Sequence, residues 1–169
     1  LNAMNAIIDE KRCIHCGACE RVCPNNSIVQ KRKPQVWYQG WNSNTRKTSS
    51  SGGAAAGLIE AFIHSGGYVA ACLFKGGEFV FDITNDLDYA KNFAGSKYVK
   101  SNPVNIYSKV AKELKTGNKV LFVGLPCQVA AVKNYVKNTD NLYTIDLICH
   151  GSPSPQLFEK FLEENKVNI

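Results

Sequence analysis

The stretch from Lys119 to Cys149 restricts the fold of this chain more than any other. "KVLFVGLP" is a near-continuous apolar run, the pattern of a strand covered on both faces of a parallel sheet. "CQVAAVKNYVKN" follows and places Val129, Val132 and Val136 on one helical face, before a second apolar run, "LYTIDLIC". Strand Lys119–Leu125, helix Cys127–Asn138 and strand Leu142–Cys149 therefore predict a βαβ unit of about minimal size. Its strands should run parallel, joined by a right-handed crossover.

The flanking sequence extends that unit into a layered body. In "AAAGLIEAFIHSGG", Leu58, Ile59, Phe62 and Ile63 share a helical face that Gly66 and Gly67 terminate. "YVAACLF" and "EFVFDIT" read as two strands joined by the tight turn "KGGE". Ile106, Val110 and Leu114 recur at helical spacing, with Gly117 as the stop. "SPQLFEKFLEEN" is a last amphipathic helix carrying Leu157, Phe158, Phe161 and Leu162. The expectation is an α/β fold with a mixed, partly parallel sheet flanked by helices.

Ahead of that body stands "CIHCGACERVCP", Cys13 to Pro24, with the spacing C-x2-C-x2-C-x3-C-P. Three cysteines at two-residue intervals let one loop wrap three corners of a 4Fe–4S cube, its amides facing the sulfurs. Zinc sites instead pair two C-x2-C units across a longer gap, so iron–sulfur is the favoured chemistry. The motif is one half of a bacterial two-cluster ferredoxin, in which the fourth cysteine serves the other cluster. No second copy occurs, so Cys23 either serves a cluster whose other ligands lie elsewhere or closes the same cube by local distortion. His15 lies at a loop position where residue type varies freely.

The chain then divides into a ferredoxin-like iron–sulfur module at 4–30, an extended linker at 31–50 and an α/β domain at 51–169. "LNAM" reads as a cloning remnant ahead of Met4. In the linker, Trp37, Tyr38 and Trp41 are expected to pack onto the body. The stop at Ile169, directly after a helix, suggests a piece of something longer. No apolar run approaches the ~20 residues of a membrane span, and a cytoplasmic protein is the expectation. The net charge of +6 is mild and no nucleic-acid reader motif accompanies it, so the basic run Gln30–Gln35 reads as a solvated linker. Seven cysteines, four within eleven residues, argue for ligation over a disulfide framework.

A second constellation lies in the body. Cys127 in "GLPCQ" and Cys149 in "DLICHG" each follow a predicted parallel strand, at the sheet edge where ligands of open α/β folds gather. Cys127 also begins a helix, whose dipole favours a thiolate. Two buried, space-filling cysteines are the plain alternative. Cys72 reads as a core residue. "TSSSGGAAAG" is a serine- and glycine-rich helix entry suited to a phosphate, though serine capping explains it equally well. "GSKYVKS" offers Lys97 and Lys100 around Tyr98 as an anion-binding loop or a plain surface segment. His64 ends a helix, and His150 adjoins Cys149.

In their order and spacing, "CIHCGACERVCP", "RKTSSSGG", "GSKYVKS", "VGLPCQVA" and "IDLICHGSPSP" resemble the coenzyme F420 hydrogenase/dehydrogenase beta subunit family. The resemblance covers nearly the whole chain. It implies an FAD-containing iron–sulfur oxidoreductase that exchanges electrons with a redox partner protein or subunit and with a small-molecule donor or acceptor, coenzyme F420 being one. Carried over by motif, it implies metal ligation by Cys13, Cys16, Cys19 and Cys23, and a further cluster at Cys127 and Cys149. Ser49, Ser50, Ser51, Gly52 and Gly53, with Lys97 and Tyr98, resemble the flavin-side segments. The chain departs from the family's longer members in having one ferredoxin half and in ending before their C-terminal portion. Two other readings stand beside this one: an electron-transfer module without substrate chemistry, and a thiol enzyme with Cys127 as nucleophile and His150 as base.

Overall fold

The structure is a computed structural model that describes residues 7–26, 33–136 and 138–167. Among them, a four-stranded mixed sheet has the order β2-β1-β3-β4, formed by β1 (Tyr68–Lys75), β2 (Glu78–Thr84), β3 (Val120–Gly124) and β4 (Leu142–Asp146). β1 and β2 form an antiparallel hairpin closed at Lys75↔Glu78, and the turn holds Gly76 and Gly77 at φ 61° and 81°. Two successive left-handed residues match the twist of such hairpins, and glycine adopts them without a Cβ penalty. β1 pairs parallel with β3, and β3 parallel with β4 from Val120↔Leu142 to Gly124↔Asp146. The βαβ unit read from the sequence is thus present, with α5 (Pro126–Tyr135) as its crossover helix.

Alternation along the strands feeds two apolar layers. Val69, Ala71 and Leu73 of β1, with Leu121 and Val123 of β3, meet Ile59 and Ile63 of α2 (Ala54–His64) and Ala90 of α3 (Leu87–Ala90). Ala70, Val120 and Phe122 face the other way, onto Ile106 and Val110 of α4 (Ile106–Lys115) and Val129 and Val132 of α5. Every residue of β3 is buried, as its unbroken apolar run requires. Lys109 of α4 ties that helix to the sheet through Asp82 of β2 at 2.9 Å. Burial alone would lift the Asp82 carboxyl. Hydrogen bonds from Lys109, Tyr89 and the Ile83 amide outweigh it and hold the group below the usual carboxylate range.

Several expectations are corrected. β4 ends at Asp146, not Cys149, and has no buried residue, because it is the sheet's edge and β3 is its one neighbour. Leu58 is exposed while Ile59 and Ile63 carry the α2 face. The last helix, α6 (Pro155–Glu164), buries none of its side chains. Cys72 is half-buried against the core, not enclosed in it.

The aromatic residues of the connector do not pack onto the body. Trp37 is 84% exposed and Tyr38 is 91% exposed. Trp41 is exposed as well, with the Arg46 guanidinium 5.4 Å from its ring centroid. Replacement of Trp37 by alanine should therefore shift unfolding stability by no more than about 0.5 kcal/mol, the range of ordinary surface substitutions. Urea denaturation of the two proteins measures this directly.

Candidate functional site

At the N-terminus, Asp9 accepts the amides of Lys11, Arg12 and Cys13, which tightens the entry to the cysteine loop. His15 and Gly17 adopt positive φ, 52° and 66°, and curl the chain between Cys13 and Cys19. Glycine pays no steric penalty there, whereas histidine at that φ is uncommon. The short helix α1 (Ala18–Val22) carries Cys19, and Arg21 donates a 2.9 Å hydrogen bond back to the Cys16 carbonyl. All four thiols are free, Cys16 and Cys19 exposed and Cys13 and Cys23 half-buried. Among the described residues, no three Cys, His, Asp or Glu side chains are gathered as a ready-made metal site. As a donor set, four thiols on one curled loop still fit an iron–sulfur cube, since ligands of a metal centre seldom stand assembled without it.

α1 packs against α5, where Asn134 meets the Val22 carbonyl at 3.5 Å. The same helix carries Cys127 in its first turn, after Pro126. Because Gly124 and Asp146 are register partners, Cys127 and Cys149 each lie three residues past one paired position of β3 and β4. The structure thus brings both cysteines to the carboxyl edge of neighbouring parallel strands, and both are exposed. The Cys149 sulfur accepts the Gly151 amide at 3.3 Å. Among the described residues, no hydrogen bond joins Cys127 to His150, and His150 is exposed. Nothing here orients an imidazole as a base for Cys127.

Behind Cys127 lies Tyr107 of α4, between Phe122 and Tyr135 at 6.1 Å from each. Burial, reinforced by negative charge at Cys127, pushes its hydroxyl up to about 12. A phenol near 10 when unfolded and near 12 when folded binds more protons in the native state between those values. Stability should therefore fall as pH rises from about 10 to 12, by roughly 2 kcal/mol after allowance for partial exposure. Tyr107→Phe should flatten that slope in urea titrations run across this window.

The Ser–Gly segment and the 95–101 loop also meet. Ser50 Oγ accepts the Ser96 amide at 2.8 Å, joining two stretches that the sequence associates only by residue type. Their polar groups are more engaged than expected, however. Ser49 Oγ donates to the Thr45 carbonyl at 2.8 Å, and Ser51 alone of the three serines has a hydroxyl without a partner among the described residues. Lys97 does not present its ammonium to an anion. It donates to the carbonyls of Phe93 and Ala94 at 2.7 and 2.8 Å, which caps the 3-10 turn Lys91–Phe93. Burial lowers the Lys97 ammonium's pKa, against the pull of Cys72.

Gly53 precedes α2 at φ 74°, and a Cβ there would stand 2.6 Å from Thr45 Oγ1. Gly52 approaches the Trp41 Cβ and would carry a side chain only in tight contact. Gly53 therefore serves close backbone approach within the chain. Tyr98 is exposed and borders an apolar groove of about 710 Å³, shared with Phe79, Leu157, Phe158 and Phe161.

Sequence reasoning missed two residues beside the site. Gln128, next to Cys127, donates to Ser101 Oγ at 2.9 Å, and Ser101 is buried. A glutamine in the first turn of a helix is a capping signal, but nothing in the sequence pairs it with Ser101.

Comparison with known proteins adds two family matches. A 4Fe-4S binding domain model matches residues 6–29. A second model, described as the C terminus of the coenzyme F420 hydrogenase/dehydrogenase beta subunit, matches residues 117–169, from β3 to the end of the chain, and so includes Cys127 and Cys149. Over residues 117–169 the chain is thus similar to the coenzyme F420 hydrogenase/dehydrogenase beta subunit family. No curated protein matches it. A chain of the F420-reducing NiFe hydrogenase complex from Methanosarcina barkeri superposes with a TM-score of 0.62 over 76% of this chain, at 19% identity. At that identity the likeness concerns the fold. This chain spans about half of that one's length, 49%. Among the described residues, no helix is long and apolar enough to cross a membrane.

Proposed function

We propose that this chain belongs to an iron–sulfur flavoprotein oxidoreductase, passing electrons between a 4Fe–4S centre and FAD and on to a deazaflavin such as coenzyme F420, or to another acceptor. When bound, the cluster supplies one-electron exchange and the flavin joins it to two-electron chemistry. Cys13, Cys16 and Cys19 would hold the cube, with Gly17 letting the backbone come close and Arg21 fixing the Cys16 carbonyl. Cys127 and Cys149 would present sulfur at the carboxyl edge of β3 and β4. Ser51, the backbone of Gly52 and Gly53, and Tyr98 would face the flavin, while the engaged Lys97 and Ser50 shape its surroundings. A redox partner protein or subunit fits the exposed Cys16 and Cys19.

One observation carries this reading. A cysteine loop of ferredoxin spacing rests, through α1, on the helix whose first turn carries the family's Pro-Cys-Gln motif. Anaerobic purification with iron, sulfide and flavin quantified together tests it. About four iron and four sulfide per cube, with flavin bound, is the expected result. Iron and sulfide without flavin would favour the simpler electron-transfer module. Iron without sulfide would overturn the cluster itself.

A further inference from the structure

We infer that Ser101 and Gln128 are positioning residues that lock the loop carrying Lys97 and Tyr98 to the helical turn carrying Cys127. Gln128 Oε1 accepts the Leu125 amide at 2.9 Å, while its Nε2 donates to Ser101 Oγ at 2.9 Å. Ser101 is only 9% exposed, so the bridge is sheltered from water. One hydrogen bond therefore joins two segments, the 95–101 loop and the start of α5. Bonds in such a sheltered string resist replacement by water, and losing one member leaves the others unmet.

The amides of the first turn of α5 give the bridge its consequence. A helix start leaves its first amides without intrahelical partners. Pro126 has no N–H, Leu125 gives its own to Gln128, and the Gln128 amide bonds the Leu125 carbonyl at 2.9 Å. The Cys127 N–H has no partner among the described residues, so the turn's open donor stands beside its thiol. Gln128 grips this turn from inside and Ser101 from the neighbouring loop. A shift in one segment is thereby transmitted to the other.

This inference rests on the reading of the two segments as two sides of one redox site, but its test needs neither cofactor. Cofactor-free protein is alkylated with iodoacetamide at one fixed pH, and the rate at each cysteine is followed by mass spectrometry. Ser101→Ala and Gln128→Ala should each change the Cys127 rate about three- to tenfold, with Cys16 and Cys149 unaffected. The double variant should match Gln128→Ala, since that variant already removes the bridge that Ser101→Ala removes, together with the acceptor of the Leu125 amide. Unchanged Cys127 rates, additive effects, or equal acceleration of all three thiols would each overturn the proposal. Failure to find flavin or iron in the purified protein would remove the redox reading without touching these rates.

Discussion

Replacing Cys16 by alanine should reduce the iron bound by the anaerobically purified protein to about a tenth or less of the wild-type content, because the central ligand of a three-sulfur loop has no substitute nearby. Cys16 lies between Cys13 and Cys19 on the curled segment set by His15 and Gly17, and its thiol is free and exposed. Among the described residues, no other group of Cys, His, Asp or Glu is gathered there to replace it. Iron and sulfide analysis with electron paramagnetic resonance of the reduced protein measures the loss. Cys23→Ala is the informative companion. If Cys23 closes the same cube, its replacement empties the site as Cys16→Ala does. If it serves another cluster, most of the iron on the N-terminal loop survives. Retention of wild-type iron and sulfide by Cys16→Ala would remove the cluster reading altogether.

Phe122→Ala should cost about 3–5 kcal/mol, the range for emptying a large buried aromatic site. Phe122 is fully buried in the central strand β3, and its ring stacks on Phe81 with centroids 5.4 Å apart and planes 2° apart. Tyr107 packs from α4 at 6.1 Å, and Val129 and Val132 of α5 belong to the same apolar layer. These neighbours sit on separate elements held by the sheet, so they can close only part of the gap. Since domains of this size are stable by only about 5–15 kcal/mol, the variant should unfold at much lower urea concentration. A loss below about 1 kcal/mol would mean that the packing around β3 is not as described.

Much of the architecture was legible because it depends on short-range periodicity. Val120 to Gly124 reads as apolar without interruption, and only a strand covered on both faces accommodates that. Val129, Val132 and Val136 fall together on the buried face of α5 and its C-cap as their spacing predicts, and the glycine pair after Lys75 closes the hairpin. Burial of the edges was not legible. "LYTIDLIC" reads as a second apolar strand, yet β4 lies at the sheet's margin and stops at Asp146. Leu157 and Phe161 have core-like spacing, but α6 faces an open groove. Apolar periodicity identifies the face an element would cover and not whether a neighbour stands there to cover it. Trp37 and Tyr38 illustrate the same limit, since large aromatic rings invite burial and these two remain outside.

The site divides along similar lines. Ligand type and spacing are local, so the sequence by itself determined which stretch, the cysteine loop from Cys13 to Cys23, we propose for iron and sulfur. It also determined that Cys127 and Cys149 follow strands of one βαβ unit, because a crossover of that length makes the strands parallel and delivers both thiols to one edge. Only the tertiary structure decided how the polar groups are engaged. Lys97 turns inward to carbonyls, Ser50 joins the 95–101 loop, and Gln128 reaches Ser101 across 27 positions of sequence. A side chain with several donors and acceptors is equally able to meet a ligand, water or its own backbone. Its choice is set by which partners the packed sheet and helices bring within about 3 Å, and that distance is a property of the fold as a whole.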